Sequence, residues 1–215
     1  MKKALLILPL LVLLTHPPAA HTQSFGQFTT AAVASEGEGG FFLLAGEEAI
    51  RAGVMARFLV TGRSDIGFQI GYDRECGENS IGAGVDFKYY PISSSSDFPV
   101  DLAAGLSFGH FRSGSYNRNQ LGLTIMASGI LRAETNVPIE PYASLMLLTT
   151  YFVKRPSCGE ERGQCWPCSE DDWDSDTDTV IRAGVNVSIT HEYQVFTEIS
   201  LNDTVLFGAG FNVIF

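Results

Sequence analysis

Through most of this chain apolar side chains return at every second position, and a period of two commits the backbone to extended strands. Residues 50 to 60 set Ile50, Ala52, Val54, Ala56, Phe58 and Val60 on one face and Arg51, Gly53, Met55, Arg57 and Leu59 on the other. Residues 65 to 73 oppose Ile66, Phe68, Ile70 and Tyr72 to Asp65, Gly67, Gln69, Gly71 and Asp73. Residues 81 to 90 oppose Ile81, Ala83, Val85, Phe87 and Tyr89 to Gly82, Gly84, Asp86, Lys88 and Tyr90. The period continues through about 99–111, 120–134, 139–153, 179–190, 194–202 and 205–215. The sequence therefore predicts an all-β fold.

The polar face carries charges of both signs, among them Arg51, Arg57, Asp86, Lys88, Arg182 and Glu198. In a soluble sandwich such a face looks outward to water. In a transmembrane barrel it lines the lumen, and the apolar face meets lipid. Alternation does not separate the two, so the ends of the chain and the order of its connectors must. Lys2 and Lys3, the apolar stretch Ala4 to Leu14 and the small residues Ala19 and Ala20 have the layout of a secretory signal peptide over residues 1–23, with cleavage between 19 and 24. Beyond it no apolar run approaches the roughly 20 residues of a membrane helix.

A weaker first strand, near Phe25 to Ser35 or in the run Phe41-Phe42-Leu43-Leu44, makes the strand number even. Short connectors at 61–64, 91–98, 135–138 and 191–193 then fall on one side. Connectors at about 36–48, 74–80, 112–119, 155–178 and 202–204 fall on the other, so the longest loop, 155–178, is expected outside the cell. Residues 24–215 are expected to form an up-and-down antiparallel transmembrane β-barrel of 8 to 10 strands. Ile50-Arg51-Ala52-Gly53-Val54 recurs as Ile181-Arg182-Ala183-Gly184-Val185, with looser copies at Ile81 to Val85 and Phe207 to Phe211. In a narrow barrel Gly53, Gly84, Gly184 and Gly210 would leave room for the large groups that fill the lumen. Tyr89, Tyr90, Tyr142, Phe196 and Phe215 are expected in one interfacial girdle and Tyr72, Phe108, Tyr151 and Phe207 in the other.

The chain ends Phe207-Gly208-Ala209-Gly210-Phe211-Asn212-Val213-Ile214-Phe215. Gly210, Phe211, Val213 and the terminal Phe215 resemble the C-terminal signal by which bacterial outer-membrane barrels are recognised by their assembly machinery. With the leader, the chain resembles the small outer-membrane barrels of the OmpX and OmpA-transmembrane type over nearly all of its mature length. That resemblance implies a barrel in the bacterial outer membrane, with outer-membrane lipid, lipopolysaccharide and the assembly machinery as partners, and it implies no specific ligand. A monomer is expected.

The chain carries 24 acidic against 14 basic residues, a formal net charge of -10, and no basic cluster, which excludes nucleic acid as a partner. Cys76, Cys158, Cys165 and Cys168 fall on the outer side of the connector scheme, where an oxidising compartment favours two disulfides in any of three pairings. The C-x-x-C spacing of Cys165 to Cys168 lacks the strand-to-helix setting of a redox motif. Asp172, Asp174, Asp176 and Asp178 alternate within an acidic loop, and hard carboxylate oxygens suit a weakly bound Ca²⁺. An EF-hand does not fit, because Thr177 and Ala183 stand where a Gly and a closing Glu belong. No other cofactor is expected.

His110, near Ser107, Ser113 and Ser115, is the one residue that raises catalysis, since some small outer-membrane barrels modify lipid A. Alternation sets His110 and Ser107 on opposite faces, so the chain is read as non-enzymatic. The expected function is a structural or surface-recognition role through outer loops, with Trp166 and Trp173 as candidate contact residues. A narrow pore for small solutes or ions is the alternative, and a lipid A-modifying enzyme a more distant one.

Overall fold

The computed structural model describes residues 30–31, 37–47, 49–75, 78–94, 99–114, 116–132, 137–154, 173–202 and 204–215. They form strands β1 (Glu38–Gly46), β2 (Ala49–Thr61), β3 (Ser64–Glu75), β4 (Glu78–Ile92), β5 (Asp101–Ser113), β6 (Tyr116–Ser128), β7 (Leu131–Arg132), β8 (Pro138–Lys154), β9 (Trp173–Ser188), β10 (Tyr193–Leu201) and β11 (Val205–Ile214). β7 is a two-residue strand at the foot of β8. The other ten strands pair antiparallel with their neighbours in the chain, β6 with β8 and β11 with β1, and so close an up-and-down transmembrane barrel.

The seam between β1 and β11 is closed to the last residue. Glu38 lies opposite Ile214 and Gly46 opposite Leu206. Beyond them Gly37 and Phe215 exchange two backbone hydrogen bonds, of 3.1 and 2.8 Å. The end that carries Gly37 and Phe215 is called here the terminal end.

Alternation fixes which side chain faces where. Val54, Ile70, Ile81, Phe108, Ile125, Leu147 and Phe207 point outward, with Val54 58% and Ile81 67% exposed. An apolar belt that runs round the whole wall is stable against hydrocarbon and not against water. Aromatic side chains run along its terminal-end border and across the seam. Tyr193 stacks on Phe211 at 5.6 Å and Phe211 meets Phe41 at 6.0 Å, while Phe58 lies 6.4 Å from both Phe68 and Phe215.

Several expectations change here. Of the two candidates for the first strand, the run Phe41 to Leu44 lies in Glu38–Gly46, and of Phe25 to Ser35 only Thr30 and Ala31 are described, neither in a strand. The run Phe41 to Leu44 is apolar on both faces because Phe42 and Leu44 are buried in the lumen while Phe41 and Leu43 face out. Thr30 and Ala31 lie inside the barrel at the terminal end. There the Lys88 ammonium donates to the Thr30 carbonyl at 2.6 Å, and the Ala31 N–H donates to Ser128 Oγ.

The connectors expected at 36–48, 74–80 and 112–119 shrink to the two residues left between strands at 47–48, 76–77 and 114–115, because the strands run on past the apolar belt. Likewise β9 starts at Trp173, so the end of the expected loop 155–178 is strand. Opposite it β10 stops at Leu201, level with Ile181, so Trp173 to Val180 rise above β10 paired only with β8. Of the aromatic residues expected in the girdles, Tyr90, Tyr142 and Phe196 instead point into the lumen and are buried.

Glycines make room for these rings. Phe42 lies opposite both Gly53 and Gly210, and Phe196 and Tyr142 lie opposite Gly210 and Gly184. A Cβ at Gly53 would stand 2.6 Å from Phe42 Cζ, and one at Gly210 would overlap the Phe196 ring and the Phe41 carbonyl. The Gly210→Ala variant should therefore lose about 1–3 kcal/mol to overpacking. Gly62→Ala, with open space around it, should change stability by less than about 0.5 kcal/mol. The temperature at which the folded band disappears from SDS gels measures both.

Candidate functional site: a charged and filled lumen

The inward positions of the strands bring together the polar residues that alternation marks out. Near the terminal end, Arg57 on β2 pairs with Asp65 on β3 and with Asp86 on β4. To reach Asp86 its guanidinium crosses Gly67, the residue between them in the register, where a Cβ would stand 2.6 Å from Arg57 Nη2. Glu38 Oε1 approaches Arg57 Nε at 3.6 Å, and Lys88 approaches Asp65 at 3.7 Å. Tyr90 donates its hydroxyl to Asp65 and lies under the Lys88 ammonium, 5.0 Å from the ring centre.

Nearer the opposite end, Arg51 Nε meets Asp73 Oδ1 at 3.1 Å across the β2–β3 pair. Arg118 Nη2, from β6, reaches the other oxygen of Asp73 at 2.5 Å, so this ion pair spans the lumen. The Arg118 guanidinium also lies 4.8 Å from the centre of the Phe111 ring, which is directly opposite it on β5. Asp73 and Arg118 are each 1% exposed and Arg51 2%.

A third group follows the same construction as the first. Tyr142 on β8, Gly184 on β9 and Glu198 on β10 are successive partners in the register. Tyr142 reaches over the glycine and donates to Glu198 Oε2 at 2.9 Å, with Arg182 Nε 3.7 Å from the other carboxylate oxygen. These side chains are turned toward one another and away from bulk water. At these levels the bore is filled by the wall's own side chains, joined at the terminal end by Thr30 and Ala31.

Arg51, Arg57, Asp86, Lys88, Arg182 and Glu198, the polar lumen residues read from the sequence, thus divide among three groups. Asp65, Asp73, Arg118 and Tyr142 complete those groups. Arg118 escaped the sequence reading because residues 112–119 looked like a connector. Extending the alternation of Gln120 and Gly122 backwards would have placed it inside.

The acidic alternation has a different meaning from the one expected. Asp174, Asp176 and Asp178 belong to β9 and not to a loop, and their spacing is that of one strand face, with the Asp178 side chain buried in the lumen. Asp172, and the side chain of Asp174, lie outside what the structure describes, as do Cys76, Cys158, Cys165 and Cys168. Among the described residues no group of three or more His, Cys, Asp or Glu could hold a metal ion.

His110 faces outward, and its Nδ1 lies 2.7 Å from Asn119 Oδ1 on the neighbouring strand. Ser107 is inward, and a Cβ at Gly122 would overlap its hydroxyl. The pair needed for acyl transfer is not assembled.

Gly210, Phe211, Val213 and Phe215 all sit on the seam strand. Gly210 faces the lumen beneath Phe196, whereas Phe211 and Phe215 lie on the outer face, with the Phe215 ring against Gly37.

No family model matches the chain, and no curated protein matches it. Among solved structures it is similar to a bacterial polysaccharide outer membrane secretin, with a TM-score of 0.46 and 11% identity over 78% of this chain and 57% of that one. It is also similar to KdgM porin, at 0.41 and 8% over 83% and 99%. A third similarity is to the N-terminal β-barrel domain of Pseudomonas aeruginosa OprF, at 0.42 and 12% over 83% and 96%. The chain spans little more than half the length of the secretin.

Removing Asp73 would leave two buried guanidinium groups without their shared carboxylate. Asp73→Leu should cost about 3–5 kcal/mol, and the triple variant that adds Arg51→Met and Arg118→Met should recover most of it. Urea unfolding of the folded protein in detergent micelles measures the difference.

Proposed function

We propose that this chain is an integral protein of the bacterial outer membrane that works through its wall and its outer connectors, not by passing solute and not by catalysis. One observation carries the reading: an apolar belt surrounds a lumen crossed toward each end by ion pairs buried from water. Lipid on the outside explains the belt, and a silent bore explains why charges of both signs are matched there and not left to solvent.

On this reading residues 1–23 are the export signal, and the terminal end faces the periplasm. The assembly machinery recognises the seam strand through Phe215. The end with the 155–172 connector faces outward, where lipopolysaccharide and other cell surfaces are the available partners. The protein acts as a monomer, because the closed sheet leaves no strand edge around the belt for a second copy to extend.

Heat modifiability and single-channel recording test this together. Unboiled and boiled samples should run differently on SDS gels, and the protein should give no conductance steps in a planar bilayer. A silent wild type that gains conductance in the Arg118→Ala/Arg57→Ala variant would fit a bore held shut by side chains. Steps in the wild type would favour the narrow pore instead.

A further inference from the structure

On the described strands every carboxylate whose side chain is placed faces the lumen. Among the charged side chains that are placed, those facing outward are Arg74 on β3 and Arg112 on β5, both exposed and both at the end opposite the termini. In a protein with a formal net charge of -10, two outward arginines near one end of the wall are a local reversal of sign.

Their setting is specific. Arg74 lies opposite Asn79, and Arg112 lies opposite Ile81, so the arginines stand on either side of β4. That separates their backbones by about 10 Å across the sheet and about 7 Å along it, within reach of two long side chains that converge on one headgroup.

The neutral neighbours add donors. Tyr72 donates its hydroxyl to Asn79 Oδ1 at 2.6 Å, which turns the Asn79 amide N–H groups outward as what it can offer. Just beneath, Ile81 is the most exposed large apolar side chain among the described residues, at 67%, with Ile70 diagonal to it on β3 and Phe108 lower on β5, opposite Val85. The patch therefore presents cationic forks and amide donors above an apolar floor, which complements a phosphate joined to acyl chains.

We infer that Arg74, Arg112 and Asn79 form an external site for the phosphates of a phosphorylated, acylated glycolipid of the lipid A class, whose acyl chains lie along Ile81, Ile70 and Phe108. This deepens the outer-membrane reading and rests on it, because it is that reading which turns this end of the barrel toward the glycolipid leaflet. The site differs from the acidic outer connector, since it meets the anion with positive charge and needs no bridging cation.

The full chain, folded in detergent micelles and shown by its gel shift to be folded, should retain added diphosphoryl lipid A in native mass spectra. The Arg74→Gln/Arg112→Gln variant, folded by the same criterion, should lower that retention by about tenfold or more. Arg63→Gln, at the terminal end, should leave it unchanged. Retention should also fall with salt in the wild type more steeply than in the double variant.

Equal retention by wild type and double variant would overturn the site. Equal preference for phosphatidylglycerol and lipid A would overturn the glycolipid as its occupant. A wild type with no heat-modifiable form would overturn the membrane reading itself, a separate failure from either.

Discussion

Hydrocarbon offers no hydrogen bonds, and that deprivation governs the rest of the molecule. Each backbone N–H and C=O at membrane depth must find its partner within the protein, and for strands this is possible only if the sheet has no edges. The pairing of β1 with β11, continued by Gly37 and Phe215, removes the last edge. Once the wall is closed, alternation does the sorting: odd steps meet lipid and even steps meet each other. The placement of Phe215 follows the same logic, since its two backbone hydrogen bonds with Gly37 extend the pairing that closes the wall.

Charges inside a narrow bore present a second constraint. Taking a guanidinium or carboxylate out of water costs several kcal/mol, and only close, well-satisfied partners offset it. The wall solves this with a repeated arrangement in which a long side chain on one strand crosses a glycine on the next to reach a carboxylate on the third. Arg57, Gly67 and Asp86 do so on β2 to β4, and Tyr142, Gly184 and Glu198 on β8 to β10. The glycines would weaken ordinary strands. Here their missing side chains are the space through which the partners meet.

The period of two was sufficient to place the wall and to divide lipid-facing from lumen-facing positions along β2, β3 and β4. It failed where strands outran the apolar belt. Beyond lipid the outward face becomes polar, as at Arg74, Asn79, Arg112 and Asn117, and the pattern then looks like a loop although the backbone pairing continues. This hid Arg118 and misread Asp174 to Asp178. Aromatic residues failed for another reason: Tyr90, Tyr142 and Phe196 suit an interface and a tight lumen equally well. For Tyr142 and Phe196 the glycine facing the ring decides between them, and the partner strand cannot be known before the register is. The recurrence of Ile-Arg-Ala-Gly-Val at 50–54 and 181–185 was the legible trace of this device, since both copies set an arginine two residues before a glycine that receives a ring.

Many channels are stopped by a separate element that can swing aside. In this barrel the stopper toward the end opposite the termini is the inner surface of the wall itself, with Asp73 held at once by β2 and by β6. There is no hinge on which such a stopper could turn. If the bore is silent as proposed, its permeability is a property fixed when the strands zip together, and any change in it would have to be a change in the folded state of the wall.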